Sequence, residues 1–250
     1  MLRVEQVTKR FGGLLAVNDV SFEIAEGQLV GIIGPNGAGK STLFNVIAGV
    51  YRPDSGHVLL DGSVIDHLKP HERVRLGLAR TFQGALAFPN LSVLENVMIG
   101  RQTKAMASVL ELMFRLPRGV RDEDTIARAA GAQLQLVELP VPGDTPASIL
   151  TAGQQRLLAI ARALATEPRL LLLDEPAAGL NPGEREKLAT IIQKLHASGM
   201  TILLVEHDVD FVMGLAQRIV VLDYGRKLAE GLPADIRTNP QVIAAYLGTD

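Results

Sequence analysis

The sequence predicts an α/β fold with a parallel-sheet core and a helical insertion, on three observations. Short apolar runs, "QLVGII" (Gln28–Ile33), "RLLLLDEP" and "TILLVEH", read as buried strands. Between the last two, Leu188, Ile191, Ile192 and Leu195 recur at helical spacing within Gly183–Ala197, so strand and helix alternate as in a parallel sheet. From about 89 to 165 the strand signals stop and nearly every candidate element is helical.

Each element follows from its own pattern. Residues 2–33 read as strands, and "VSFEI" (Val20–Ile24) alternates apolar and polar as a half-buried strand does. Lys40–Val50 reads as a helix and "GHVLLDG" as a short strand. In the middle, Val93–Ile99, Ala105–Phe114, Asp122–Glu138 and Gln154–Ala165 read as helices. In the third, Ile126, Ala129, Ala130, Gln133, Leu134 and Val137 keep near-helical spacing. "RIVVLDYGRKLAEG" reads as a hairpin around Tyr224–Gly225. The tail from Gly231 to Asp250 has helix-compatible pieces, no motif and no assigned catalytic role.

Composition narrows the classes. Hydrophobic residues at 47% against 21% charged give a sizeable core and exclude global disorder. A net charge of −2 lacks the basic excess of a nucleic-acid binder. With no cysteine, neither a disulfide scaffold nor a thiolate metal site is possible. "MLRVEQVTKRFGG" lacks an apolar signal-peptide core, and no run approaches the ~18 apolar residues of a membrane span. Any work at a membrane is therefore expected to go through another subunit.

Four places carry chemistry. "GPNGAGKST" (Gly34–Thr42) fits G-x-x-x-x-G-K-[ST] between a buried strand and a helix, the context this phosphate-binding motif requires. Its glycines let backbone N–H groups converge on phosphate oxygens, and the helix N-terminus adds positive dipole. Lys40 offers a cation to the β- and γ-phosphates, and Ser41 a hydroxyl to Mg²⁺. Asp174 ends a buried strand, where a carboxylate can hold Mg²⁺, and Glu175 follows at the strand mouth, where it can orient or deprotonate a water. Glu206 and His207 end another such strand; the histidine reads either as a γ-phosphate contact or as a structural residue. Gln83 closes "RTFQ" at the junction with the helical insertion, where it reads either as a Mg²⁺ or water contact or as a solvated loop residue.

One further stretch, "SILTAGQQRLLAIARALA" (Ser148–Ala165), puts a small polar knot before an apolar helix. Thr151 reads as an N-cap, and the same helix end could face an anion.

Taken in order, the phosphate loop, Gln83, this stretch, Asp174–Glu175 and His207 resemble the nucleotide-binding subunit of an ABC transporter across essentially the whole chain. The resemblance implies a P-loop NTPase (RecA-like) α/β core with an antiparallel β subdomain over 1–88 and 166–231. It also implies an inserted α-helical subdomain over about 89–165 and a helical tail over 232–250. It implies ATP and Mg²⁺ as cofactors. Phe11 would stack on adenine, and Gly34, Pro35, Asn36, Gly37, Ala38, Gly39, Lys40, Ser41 and Thr42 would form the Walker A loop. Asp174, with Ser41 and Gln83, would hold Mg²⁺; Glu175 would be the catalytic base and His207 the switch histidine.

Thr151, Ala152, Gly153 and Gln154 occupy the signature position, where the family pattern is L-S-G-G-Q. Thr151 keeps the hydroxyl, and Ala152 adds a methyl where backbone would approach phosphate. Asn181 stands where the family has an aspartate. "RFGGLLAVNDVSF", "DEPAAGLNP", "EHDVDFVMGLAQRIVVLDYG" and "AYLG" resemble the ATPases of branched-chain amino acid importers.

The resemblance implies ATP hydrolysis coupled to import. It implies a homodimer, or a heterodimer with a related ATPase, closing on two ATPs. It implies docking to membrane permeases around Gln83–Leu94, an indirect partnership with a solute-binding protein, and a peripheral place on the cytoplasmic face of the membrane. Phe88 and Leu91 in that docking stretch read equally as a cap on the insertion's core. A DNA-repair or translation relative would need a coiled-coil insertion or a second cassette, and neither pattern is present. A small-molecule kinase would have no use for the signature and the switch histidine.

Overall fold

The computed structural model describes residues 1–81, 87–101 and 117–247. The expectations for Gln83 and for a helix at Ala105–Phe114 lie outside the described residues. The chain falls into two units, one of residues 1–80, 169–178 and 192–250, the other of 81–168 and 179–191.

The first unit contains two sheets. In one, β1 (Leu2–Phe11) and β2 (Leu14–Ile24) form an antiparallel hairpin, with Leu2 opposite Ile24 and Phe11 opposite Leu14. The sheet runs β2-β1-β4-β5, with β4 at Ser55–Leu60 and the two-residue β5 at Ser63–Val64. The other sheet holds β3 (Leu29–Ile33), β6 (Leu78–Arg80), β7 (Leu170–Asp174), β8 (Thr201–Val205), β9 (Arg218–Asp223) and β10 (Arg226–Gly231). Its order is β10-β9-β3-β8-β7-β6, parallel except for the β9–β10 hairpin, where Arg226 pairs with Asp223 across Tyr224–Gly225. Every residue of β3, β7 and β8 is buried, which is why their sequences show no alternation.

Helix α1 (Lys40–Ile47) buries Leu43, Phe44, Val46 and Ile47 in a core shared with Leu2, Val4, Val20 and Ile24 of the first sheet and Ile32, Leu172 and Val205 of the second. Each such aliphatic side chain contributes roughly 1.5–3 kcal/mol on burial. The helix ends at Ile47 rather than at the expected Val50. Its last carbonyls are taken by Arg73 of α2 (Pro70–Arg75), whose Nη1 donates to Val46 O at 2.8 Å and Ile47 O at 2.7 Å.

In the second unit, α3 (Val93–Arg101), α4 (Pro117–Leu136) and α5 (Ala152–Leu164) pack on one another. Their buried stripes are Val93 and Val97, Ile126 and Ala130, and Leu157, Ile160, Ala161 and Leu164. Helix α6 (Pro182–Ala197) begins in this unit and ends in the first. Three short helices complete the first unit: α7 (Val209–Met213), α8 (Pro233–Thr238) and α9 (Pro240–Leu247), the last two forming the tail. Among the described residues no helix is long and apolar enough to cross a membrane.

Candidate functional site

Sheet register decides what meets at the edge of the first unit. Ile32 and Asp174 both lie level with Val205, so β3, β7 and β8 end together. The residues just beyond them, Gly34, Glu175 and Glu206–His207, emerge on the edge where open α/β sheets bind ligands.

From Gly34 the chain runs through Pro35, Asn36, Gly37, Ala38 and Gly39 into Lys40, Ser41 and Thr42 of α1. Gly39 has φ +95°, and a Cβ there would stand 2.3 Å from Ala16 O, so only glycine lets the loop pass β2. Helix α1 starts with no side-chain cap and no acidic residue in its first turn, which leaves its first N–H groups to an anion. Lys40 is buried, and its Nζ donates to Gly34 O at 2.6 Å and Pro35 O at 2.9 Å. Burial pulls this ammonium below the ordinary lysine range, and the Glu175 carboxylate partly offsets that. The loop faces a cleft of about 470 Å³, which Leu14–Ala16, Glu175 and Tyr224 also line.

Asp174 is 4% exposed, and its Oδ2 accepts from Arg80 Nη2 at 2.7 Å. Glu175 holds φ +42°, a conformation rare for a non-glycine residue, while its N–H donates to Val205 O at 2.9 Å. Backbone strain of this kind concentrates where a side chain must be aimed. The neighbouring Glu206 is fully buried. Its Oε1 accepts from Ala177 N at 2.7 Å, its Oε2 accepts from His207 N at 3.2 Å, and burial pushes its carboxyl up. His207 is 55% exposed, with Nδ1 3.4 Å from Glu206 Oε2. Phe11 is exposed at the end of β1, edge-to-face with Tyr51 at 5.1 Å between ring centroids, with Lys9 Nζ 5.6 Å from its own.

The second unit builds a different element. Thr151 caps α5 reciprocally with Gln154: Thr151 Oγ1 accepts from Gln154 N at 3.3 Å, and Gln154 Oε1 accepts from Thr151 N at 2.9 Å. Ala152 is exposed and Gly153 is buried. A Cβ on Gly153 would fall 2.5 Å from Glu184 Oε1. Glu184 is already engaged, because its N–H donates to Asn181 Oδ1 at 2.9 Å and its Oε2 accepts from Asn181 N at 3.2 Å. Asn181 is thus the N-cap of α6, a position asparagine and aspartate fill equally well. In the same unit Asn96 is fully buried and holds the chain before α3, accepting from Phe88 N at 2.7 Å and donating to Ser92 O at 2.9 Å. Phe88 itself is exposed, with the Arg162 guanidinium 5.5 Å from its ring centroid.

Of the residues expected at the site, Gly34–Thr42, Asp174, Glu175 and His207 share one sheet edge, and Thr151–Gln154 form a helix start in the second unit. Two neighbours went unread in the sequence, Arg80 and Tyr246, and Glu206 reads there only as the end of a strand. Tyr246 of α9 comes up to the Gly34 backbone, and partial desolvation raises its hydroxyl to about 12. The capping of α6 did carry a signal, the N-x-x-E spacing of Asn181 and Glu184.

The comparisons with known proteins agree over the whole length. The ABC transporter family model matches residues 17–178, and the branched-chain amino acid ATP-binding cassette transporter model matches 226–250. The high-affinity branched-chain amino acid transport ATP-binding protein BraF of Pseudomonas aeruginosa is 44% identical over 99% of this chain and 98% of its own. LivG of Escherichia coli, described in the same words, is 41% identical over 99% and 98%. A nucleotide-free ATP-binding cassette from an ABC transporter superposes with a TM-score of 0.87 at 33% identity, over 100% of this chain and 99% of that one. The dimeric cassette MJ0796, in a post-hydrolysis state bound to ADP and Pi, superposes with a TM-score of 0.79 at 29% identity, over 93% and 99%.

Proposed function

The chain belongs to the ABC transporter ATP-binding family, and from that premise we propose that it is the ATP-hydrolysing subunit of a branched-chain amino acid importer. The observation that carries the reading is the cleft where an uncapped helix start and Lys40 face Glu175 across about 470 Å³. The tail match and the relatives' names support the solute class.

In this reading the N–H groups of Gly37–Thr42 and the Lys40 ammonium hold the β- and γ-phosphates. Phe11 offers its exposed ring to adenine. Glu175 orients and deprotonates the attacking water, and His207 reaches the γ-phosphate from the neighbouring strand end. The hydroxyl of Ser41 and the carboxylate of Asp174 are hard oxygen donors and fit Mg²⁺, with Gln83 as a further amide oxygen. Mg²⁺ supplies neutralisation of the phosphate charge when bound.

The N-terminus of α5, at Thr151–Gln154, serves a nucleotide held by a second ATPase subunit, either another copy or a relative. The Phe88–Ser92 segment, held by Asn96, and its exposed ring form part of the permease docking surface, so the chain works peripherally at the membrane.

The test pairs hydrolysis with binding. Glu175→Gln is expected to slow ATP turnover by roughly 10²- to 10⁴-fold while ATP binding persists and an ATP-bound dimer accumulates on size-exclusion chromatography. Wild-type turnover by this variant removes Glu175 from the role. Uptake of labelled leucine, isoleucine and valine by a deletion strain, restored by the wild-type chain and not by Glu175→Gln, tests the solute class. Uptake of all three that is indifferent to the chain refutes it.

A further inference from the structure

We propose that Arg80 is the positioning residue of the Mg²⁺ site: it orients the Asp174 carboxylate and ties it to α1, the helix that carries Ser41. The proposal rests on reading Asp174 and Ser41 as the Mg²⁺ pair.

The geometry is a single planar fork joining two elements. From the end of β6, Arg80 Nη2 donates to Asp174 Oδ2 at 2.7 Å and Nη1 donates to Asn45 Oδ1 at 2.6 Å. The guanidinium also lies over the Phe44 ring, 5.0 Å from its centroid. Phe44 and Asn45 follow Ser41 by three and four positions in α1, so all three share one face of that helix. Arg80 thereby couples the helix face bearing the hydroxyl to the strand end bearing the carboxylate.

The direction of control follows from the contacts. Phe44 and Asn45 hold the guanidinium independently of Asp174, so the arginine is the anchor and the carboxylate is the group being aligned. The side chains are 11% and 4% exposed, so water screens the pair little. Buried ion pairs are poor sources of stability, since apolar pairs of similar volume often match or exceed them. Positioning explains the pair better than stability does. A lysine carries the charge but lacks the planar fork, so it cannot reproduce the geometry in which one nitrogen serves Asn45 and another serves Asp174.

The experiment reads metal affinity rather than turnover. ATP is titrated calorimetrically into the purified chain in EDTA and over a Mg²⁺ series, and the Mg²⁺ concentration giving half the gain in ATP affinity is compared among variants. Arg80→Lys is expected to raise that midpoint by about 10–100-fold, the usual loss when a group behind a metal ligand is removed. Asp174→Asn is expected to raise it as well, and adding Arg80→Met to Asp174→Asn is expected to raise it no further, because Arg80 acts through Asp174. Melting temperatures identify folded variants, and Arg80→Lys, which keeps the charge, carries the test alone if Arg80→Met does not fold. A folded Arg80→Lys with the wild-type midpoint, beside a shifted Asp174→Asn, overturns the positioning role. An unshifted Asp174→Asn overturns the metal reading beneath it, and the proposal with it.

Discussion

Lys40 Nζ donates to Gly34 O at 2.6 Å, so the cation of the phosphate loop is bonded to the loop's own first residue. Pro35 O, at 2.9 Å, is its second acceptor. The ammonium has three N–H donors and the carbonyls take two, so a phosphate oxygen can take the third, and its opposite charge adds an attraction that neutral carbonyls lack. The free loop therefore stores its lysine in place.

Replacing Lys40 should weaken nucleotide binding far more than folding. Lys40→Met keeps the stem and removes the charge. ATP affinity is expected to fall about 10–100-fold, from the roughly 1.5–3 kcal/mol of a charge-assisted hydrogen bond, and a calorimetric titration measures it. The pH dependence has a definite sign. Burial holds the free ammonium below its ordinary range, and bound phosphate raises it again, so ATP binding takes up protons. Wild-type affinity should fall as pH rises towards the lysine titration, and Lys40→Met should lack that slope.

Arg73 should matter to stability alone. Its fully buried guanidinium donates to four carbonyls, Val46, Ile47, Ile65 and Leu68, at 2.7–3.1 Å, and so caps the far end of the phosphate-loop helix. Arg73→Met leaves Ile47 O and Leu68 O without this donor, each worth about 1–3 kcal/mol when left unpaired, whereas Val46 O keeps Gly49 N and Ile65 O keeps Leu68 N. The expected loss is about 3 kcal/mol or more, a fall in melting temperature of roughly 6–12 °C for a chain of this size. A fall below about 2 °C would show that water or a shifted backbone satisfies the carbonyls instead.

What the sequence made legible was local. The leucines of β7 and the glycine and lysine spacing of Gly34–Thr42 lie within a few positions of one another, so their patterns declare strand and phosphate loop without knowledge of the fold. The pairings that tune the site are distant. Arg80 meets Asp174 across 94 positions from a three-residue strand too short to show a period. Glu206 stands beside His207 in the sequence, but its shortest hydrogen bond is to Ala177, 29 positions away. Tyr246 reaches Gly34 from a tail with no motif. The departures at Ala152 and Asn181 were visible as letters, and only their neighbours, open space for one and Glu184 for the other, gave them meaning.

Glu206 gives a second pH signature. Its carboxyl is raised above the usual value of 4.5, chiefly by desolvation, so the folded chain binds this proton more tightly than the unfolded chain does. Its contribution to stability is then fullest below 4.5 and declines as pH rises through the raised value. Glu206→Gln keeps an acceptor for Ala177 N and removes the buried charge. The variant's melting temperature relative to wild type should therefore improve as pH rises from 4.5 towards neutrality. A difference independent of pH contradicts the assignment.

Gly153 and Ala152 are neighbours whose substitutions should behave oppositely. Ala152 is exposed at the first position of α5, so Ala152→Gly should change stability by no more than about 1 kcal/mol, the difference in helix propensity. Gly153→Ala places a methyl 2.5 Å from Glu184 Oε1. The methyl also meets Glu184 Cδ at 2.7 Å and Cγ at 3.1 Å, so the whole side chain must shift and loosen its bond to Asn181 N, the reciprocal half of the α6 cap, while the bond from Glu184 N to Asn181 Oδ1 remains. The loss should therefore exceed that of Ala152→Gly, and Glu184→Ala should couple to it. In the double variant the added methyl meets no carboxylate, so the two losses should sum to more than the loss measured for the pair. Chemical denaturation of the four chains measures this. Strict additivity would show that Gly153 is needed for something other than the space Glu184 occupies.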